Sequence, residues 1–176
     1  MVPLRFDRAR IQALLELAGE RLTGEWLLIG GAAAAVWFAP VRTTEDIDLI
    51  GLGGSLAERL ALMDLAASVA IPIEAVNSSA DFFIRRIDDW REQLVLLHRG
   101  VSATVYRPSA TLFLLLKLGR LSAVDLDDCV ALLEHCETSG ETIDRARIRA
   151  RLDALPPTQD ASLVDRRARL RDALGE

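Results

Sequence analysis

The sequence predicts an α/β (α+β) fold: a small mixed β-sheet with helices packed on it, then a helical part. Three observations predict this. A strand-length apolar run at 25–29, helix formers at 30–38 and a second strand at 46–50 follow one another closely. The segments 94–98 and 101–106 flank Arg99-Gly100 and read as a hairpin. From Ser109 onward the apolar residues recur at helical spacing. The 176 residues are therefore expected to form an α/β core at 1–107 and a helical part at 108–176 packed on it.

Taken in order, residues 6–22 place Ile11, Leu14, Leu15, Ala18 and Leu22 on one face of an amphipathic helix that Gly24 ends. Trp26, Leu27, Leu28 and Ile29 fill a buried strand. Gly30-Gly31 then open a helix that runs to Phe38 and breaks at Pro40. In 46–50 Asp46, Ile47, Asp48 and Leu49 alternate. Strand residues i and i+2 face the same way, so the two carboxylates share a face, roughly 6–7 Å apart at their Cα atoms. Ile47 and Leu49 point to the core.

Gly51-Leu52-Gly53-Gly54 reads as a plain turn, since no Walker lysine accompanies it. A helix over 55–67 aligns Leu56, Leu60, Met63 and Ala67. A third strand at 71–76 carries Glu74, and Pro72 favours an edge position for it. Asn77-Ser78-Ser79 forms a turn and cap. Residues 80–90 form a short helix with Phe82, Phe83 and Ile87 inward. After the hairpin, a leucine-rich helix covers 109–120, and Ser122 with Asp125 three residues on starts the next. Helices at 141–154 and about 161–174 follow, parted by Pro156-Pro157.

Composition narrows the function classes. A hydrophobic content of 51% supports a sizeable core. The net charge of −5 argues against a protein that coats nucleic acid nonspecifically. Lys and Arg total 21, of which a single residue, Lys117, is lysine. Eight arginines sit on the last two helices, at 145, 147, 149, 151, 166, 167, 169 and 171. They read as solvated faces or, as the minority reading, an RNA-facing surface. No apolar run approaches about 20 residues, so no membrane span is expected. The first residues lack a signal-peptide core and read as cytoplasmic. Cys129 and Cys136, seven apart on one helix, are too distant for a disulfide and read as small buried hydrophobes. His98 reads as a surface strand end. His98 and His135 lack nearby cysteines, and no zinc site is expected.

The candidate chemistry gathers in 28–50. Paired carboxylates suit a hard divalent cation, Mg²⁺ or Mn²⁺, because Mg²⁺ takes one or two carboxylates plus water and substrate phosphates. Two glycines allow close backbone approach by a phosphate, and the helix after them offers N–H groups and a positive dipole end. Arg42 supplies a planar fork for phosphate oxygens.

Gly30-Gly31, Arg42-Thr43-Thr44 and Asp46-Ile47-Asp48, in this order and at strand–helix–strand spacing, resemble the core motif of nucleotidyltransferases of the DNA polymerase β superfamily. Within it they resemble the AbiEii-like branch of abortive-infection and toxin enzymes. The run Lys117…Arg120…Asp125-x-x-Asp128 is similar to that branch's second motif, where a lysine and a downstream acid belong to the active site. Val124 stands where a basic residue is commonest, which leaves open which acid matters. The bland reading of this run is a surface Lys117 and acids that favour a helix dipole.

The resemblance implies transfer of a nucleotide from an NTP to an acceptor hydroxyl, on RNA such as tRNA or on a protein. It also implies a setting in toxin–antitoxin or phage-defence loci with a cognate antitoxin. Asp46 and Asp48 would hold the metal, and the third carboxylate would be Glu74, Asp125 or Asp128. Gly30, Gly31, Arg42, Thr43, Thr44 and Arg120 would serve the nucleotide, and Lys117 would neutralise charge at the attacked phosphate. The alternative is a non-catalytic nucleotide- or partner-binding module of the same fold.

Overall fold

In the computed structural model, residues 4–77 and 81–175 are described. The chain divides into two units, Met1–Pro108 and Ser109–Glu176.

The first unit is built on a five-stranded mixed sheet. Helix α1 (Arg8–Arg21) is capped by the Asp7 side chain, which accepts from Arg10 N at 2.9 Å. It buries Ile11, Leu14, Leu15 and Ala18. Then come β1 (Gly24–Ile29), α2 (Gly30–Trp37), β2 (Ile47–Gly51), α3 (Leu56–Ser68), β3 (Val76–Asn77), α4 (Asp81–Ile84), β4 (Leu94–Arg99) and β5 (Ala103–Pro108). The strand order is β3-β2-β1-β5-β4. Central β1 runs antiparallel to β2 and parallel to β5. Its four-residue apolar run is buried throughout, as a strand flanked on both edges requires. The hairpin β4–β5 forms as expected around Arg99-Gly100, with a register shift between Leu96 and His98.

Two glycines bring α1 against that hairpin. Gly19 faces His98 and Gly100, and a side chain at Gly100 would run into the Gly19 backbone. Ser102 N donates to Gly19 O at 2.9 Å across the contact.

Three expectations for this unit are corrected. Residues 71–76 are not a strand. Pro72 lacks an N–H for the ladder. It caps a 3₁₀ turn, Ile73–Ala75, whose Ala75 N donates to Pro72 O at 2.9 Å, and only Val76–Asn77 pair with β2. Glu74 therefore sits exposed on that turn, off the sheet. Helix α3 buries Leu62, Leu65 and Ala66, not the expected face, and leaves Leu56, Leu60 and Met63 at 70%, 52% and 40% exposure. Both sets fit helical spacing, and periodicity alone does not choose between them.

Finally, the helix expected at 80–90 is only α4, followed by turns. Asp89, at φ 56°, precedes a second 3₁₀ turn at Trp90–Gln93. Ile84 turns inward, Phe82 and Phe83 lie exposed edge to face at 5.7 Å, and Ile87 is half-buried. Ser78 and Ser79 of the expected turn lie outside the described residues.

The second unit contains α5 (Ala110–Lys117), α6 (Ala123–Ser139), α7 (Arg145–Asp153) and α8 (Ala161–Leu174). Gly140, at φ 74°, ends α6 and donates to Cys136 O at 3.0 Å. The helix expected from 141 starts only at Arg145, because Asp144 caps it through Arg147 N. Arg145 reaches the α8 carbonyls of Ala173 and Leu174, and Arg149 that of Gly175. These guanidiniums meet the negative end of the α8 dipole rather than open solvent. Cys129 and Cys136 are buried and not joined in a disulfide, and burial pushes the Cys129 thiol well up. Among the described residues no helix is long and apolar enough to cross a membrane.

Candidate functional site

The first cluster forms where β1 hands over to α2. The β1–β2 register sets Asp48 opposite Ile29, the residue just before Gly30. Gly30 adopts φ +66°, a left-handed turn that suits glycine, and Asp48 Oδ2 fills the space where a Cβ would stand. Beside it, a Cβ on Gly31 would stand 2.9 Å from Thr44 Oγ1 and 3.0 Å from Arg42 Nη2. Thr44 Oγ1 also donates to Asp46 Oδ1 at 2.9 Å. Gly30, Gly31, Arg42, Thr44, Asp46 and Asp48 thus come together. The room beside both glycines is taken by the chain's own side chains.

Local structure explains each placement. Ile47 and Leu49 are fully buried, so alternation turns Asp48 the other way and leaves it half-exposed. Asp46 precedes the strand and is exposed. Thr44 is held by a two-way bridge to the N-terminal segment. Phe6 N donates to Thr44 O at 2.8 Å and Thr44 N to Phe6 O at 3.0 Å. Arg42 folds onto its own loop, donating to Thr43 O at 2.6 Å. Helix α2 begins at Gly30 with no side-chain cap from Ile29.

The strand position across from Asp48 on β3 is Asn77, not Glu74. Asn77, expected in a turn and cap, is instead the last residue of β3. Phe6, expected in the first helix, stands before α1 and bridges Thr44 instead, a pairing that leaves no periodicity to read. Among the described residues no group of three His, Cys, Asp or Glu side chains gathers to hold a metal. The donor set here is two carboxylates backed by a hydroxyl, which fits a cation that completes its shell with water and substrate oxygens.

The second cluster lies wholly in the second unit. Lys117, at the last turn of α5, donates to Asp125 Oδ1 at 2.8 Å and Asp128 Oδ2 at 3.0 Å. Asp125 and Asp128 stand three residues apart on α6, which places them on one face. Asp125 also accepts from Arg120 Nε at 2.8 Å and Nη2 at 2.9 Å. It closes a capping box with Ser122, in which Ser122 N donates to its carboxylate at 3.0 Å and Asp125 N donates to Ser122 Oγ at 3.2 Å, and Ser122 Oγ also donates to the carboxylate at 2.8 Å. Lys117 is 9% exposed, so its surface-residue reading is corrected, while the Arg120 arm of the cluster is open to solvent.

No protein-family model, curated protein or solved structure matches this chain.

Electrostatics follow from burial and partners. Burial disfavours the Asp125 carboxylate, but hydrogen bonds from Arg120 and Lys117, the Lys117 charge and the Ser122 hydroxyl outweigh it. They hold the carboxyl well below the usual range. Burial likewise disfavours the Lys117 ammonium, yet Asp128 and Asp125 outweigh it and raise its pKa. Lys117 is therefore a firmly charged centre with two carboxylates on it, and Asp125 is committed to its cap and its cations.

Proposed function

We propose that the chain is a metal-dependent nucleotidyltransferase that moves a nucleotide from an NTP to an acceptor hydroxyl on RNA, such as tRNA, or on a protein. A setting as the toxin-like member of a toxin–antitoxin or phage-defence pair, with a cognate antitoxin, belongs to the same proposal. One observation carries it: three motif pieces spread over 30–48 converge where α2 begins, with two carboxylates turned away from the core.

Asp46 and Asp48 would hold Mg²⁺ or Mn²⁺, which supplies charge neutralisation for the triphosphate. The first turn of α2 offers its dipole to phosphate oxygens. Arg42, lying over Gly31, brings a guanidinium to the same place. Thr44 orients Asp46 through its hydroxyl and is itself fixed by Phe6. The chain's own residues thus bind and orient the triphosphate. In the second unit Lys117 is held by Asp125 and Asp128, so Arg120 is the proposed cation of that cluster.

The second reading, a non-catalytic nucleotide- or partner-binding module, is favoured by the exposed position of Glu74 off the sheet and by the commitment of Asp125 to its cap. Radiolabelled NTPs incubated with the protein, Mg²⁺ and total cellular RNA separate the two. Label appearing on RNA or on protein, and lost in Asp48→Ala, supports transfer. No label with any of the four NTPs, on RNA or on protein, favours the binding module.

A further inference from the structure

Helix α3 carries two apolar stripes, of which the unit buries one. The outward stripe, Leu56, Leu60, Met63 and Ala67, is spaced four, three and four residues apart, the interval of a coiled-coil seam. Leu56, Leu60 and Met63 are all at least 40% exposed. A capping box between Ser55 and Glu58 fixes the start of the helix, so the stripe is presented on a preformed element. At about 100° per residue, Arg59 falls on one flank of the stripe and Asp64 on the other, each roughly 70° from its centre line. Both are exposed.

Opposite charges on opposite flanks select an orientation. When two copies of the helix pack in parallel about a two-fold axis, the Arg59 flank of one meets the Asp64 flank of the other, twice. Packed antiparallel, like flanks would meet instead. We infer that α3 is a homodimerisation helix, pairing in parallel with α3 of a second copy of this chain through Leu56, Leu60, Met63 and Ala67, with Arg59 facing Asp64 of the partner on both sides.

Sedimentation of the full chain over a concentration series tests this, with circular dichroism to check that each variant folds. The parent is expected to show a monomer–dimer equilibrium. Leu60→Glu should be a folded monomer, since Leu60 is half-exposed and outside the core. Arg59→Asp and Asp64→Arg should each weaken the dimer about tenfold, because two attractive pairs become repulsive. The double variant Arg59→Asp/Asp64→Arg should recover parental affinity. A monomeric parent at every concentration would overturn the proposal and leave the stripe to a different protein. A folded Leu60→Glu dimer would overturn it as well. Single charge variants that associate like the parent, or a double variant that fails to recover, would overturn the parallel pairing.

Discussion

Replacing Lys117 by methionine isolates the energetics of the buried ionic cluster. Methionine keeps most of the side-chain volume, so packing against α5 and α6 changes little and the loss is electrostatic. The ammonium stands 2.8 Å from Asp125 and 3.0 Å from Asp128, and both carboxylates are almost fully buried. Removing one partner of a buried pair costs about 3–5 kcal/mol, because a desolvated charge stays behind. Asp125 keeps Arg120 and Ser122. The expected cost at neutral pH is therefore at the lower end, about 3 kcal/mol.

The sign with pH follows from Asp125. Its folded pKa is depressed, so its contribution is complete above the ordinary aspartate value of about 4 and is lost as pH falls through the folded value. Lys117 supplies part of that depression. The stability gap between parent and Lys117→Met should therefore hold from neutral pH down to about 4 and shrink below it. Urea denaturation followed by far-ultraviolet circular dichroism, at a series of pH values, measures the gap. A cost under about 1 kcal/mol, or one that does not change below pH 4, would show that the cluster is no stabilising ion pair.

Three further outcomes follow from the first unit. Asp48→Ala should keep the parent's melting temperature to within the effect of about 0.5 kcal/mol but lose the rise that Mg²⁺ plus NTP gives the parent, as thermal melts with each nucleotide would show. Gly30→Ala should cost about 1–2 kcal/mol through its left-handed backbone alone and should weaken nucleotide binding by pushing Asp48 aside, measured by urea melts and nucleotide titration. Gly100→Ala should destabilise by about 1–3 kcal/mol, since the new methyl meets the backbone of Gly19 rather than a movable side chain, and a urea melt reads this directly.

Elements whose signal is local were legible in the sequence. The buried strand β1, the alternation of Ile47, Asp48 and Leu49, the hairpin at Arg99-Gly100 and the Ser122 capping box all declare themselves through spacing and residue type, whereas Asp46, expected on the same strand face as Asp48, stands one residue before the strand. What failed was choice between equivalent local patterns. Helix α3 has two apolar stripes, and packing against α1 and β3 decides which is covered. Phe82 and Phe83 were expected inward because they are apolar, yet α4 spans four residues and turns only Ile84 in. At Glu74 the apolar alternation outweighed Pro72, whose missing donor was the better guide. In the candidate site the motif pieces could be read. The filling of the glycine spaces by Asp48, Thr44 and Arg42 depends on strand register and on a bridge to Phe6, which no local pattern encodes.

That bridge makes the two carboxylates mechanically unequal. Asp48 is paired on both sides, opposite Ile29 at the end of the β1–β2 ladder and opposite Asn77 of β3. Asp46 lies outside the ladder, and its neighbour Thr44 is latched by only two backbone hydrogen bonds. Breaking those two bonds is a small local opening, far short of unfolding the sheet. It would release Thr44 and, through its hydroxyl, the support it gives Asp46, while Asp48 stays in place. One jaw of the pair is fixed and the other is hinged, so amides at Phe6 and Thr44 should exchange with solvent well before those of β2.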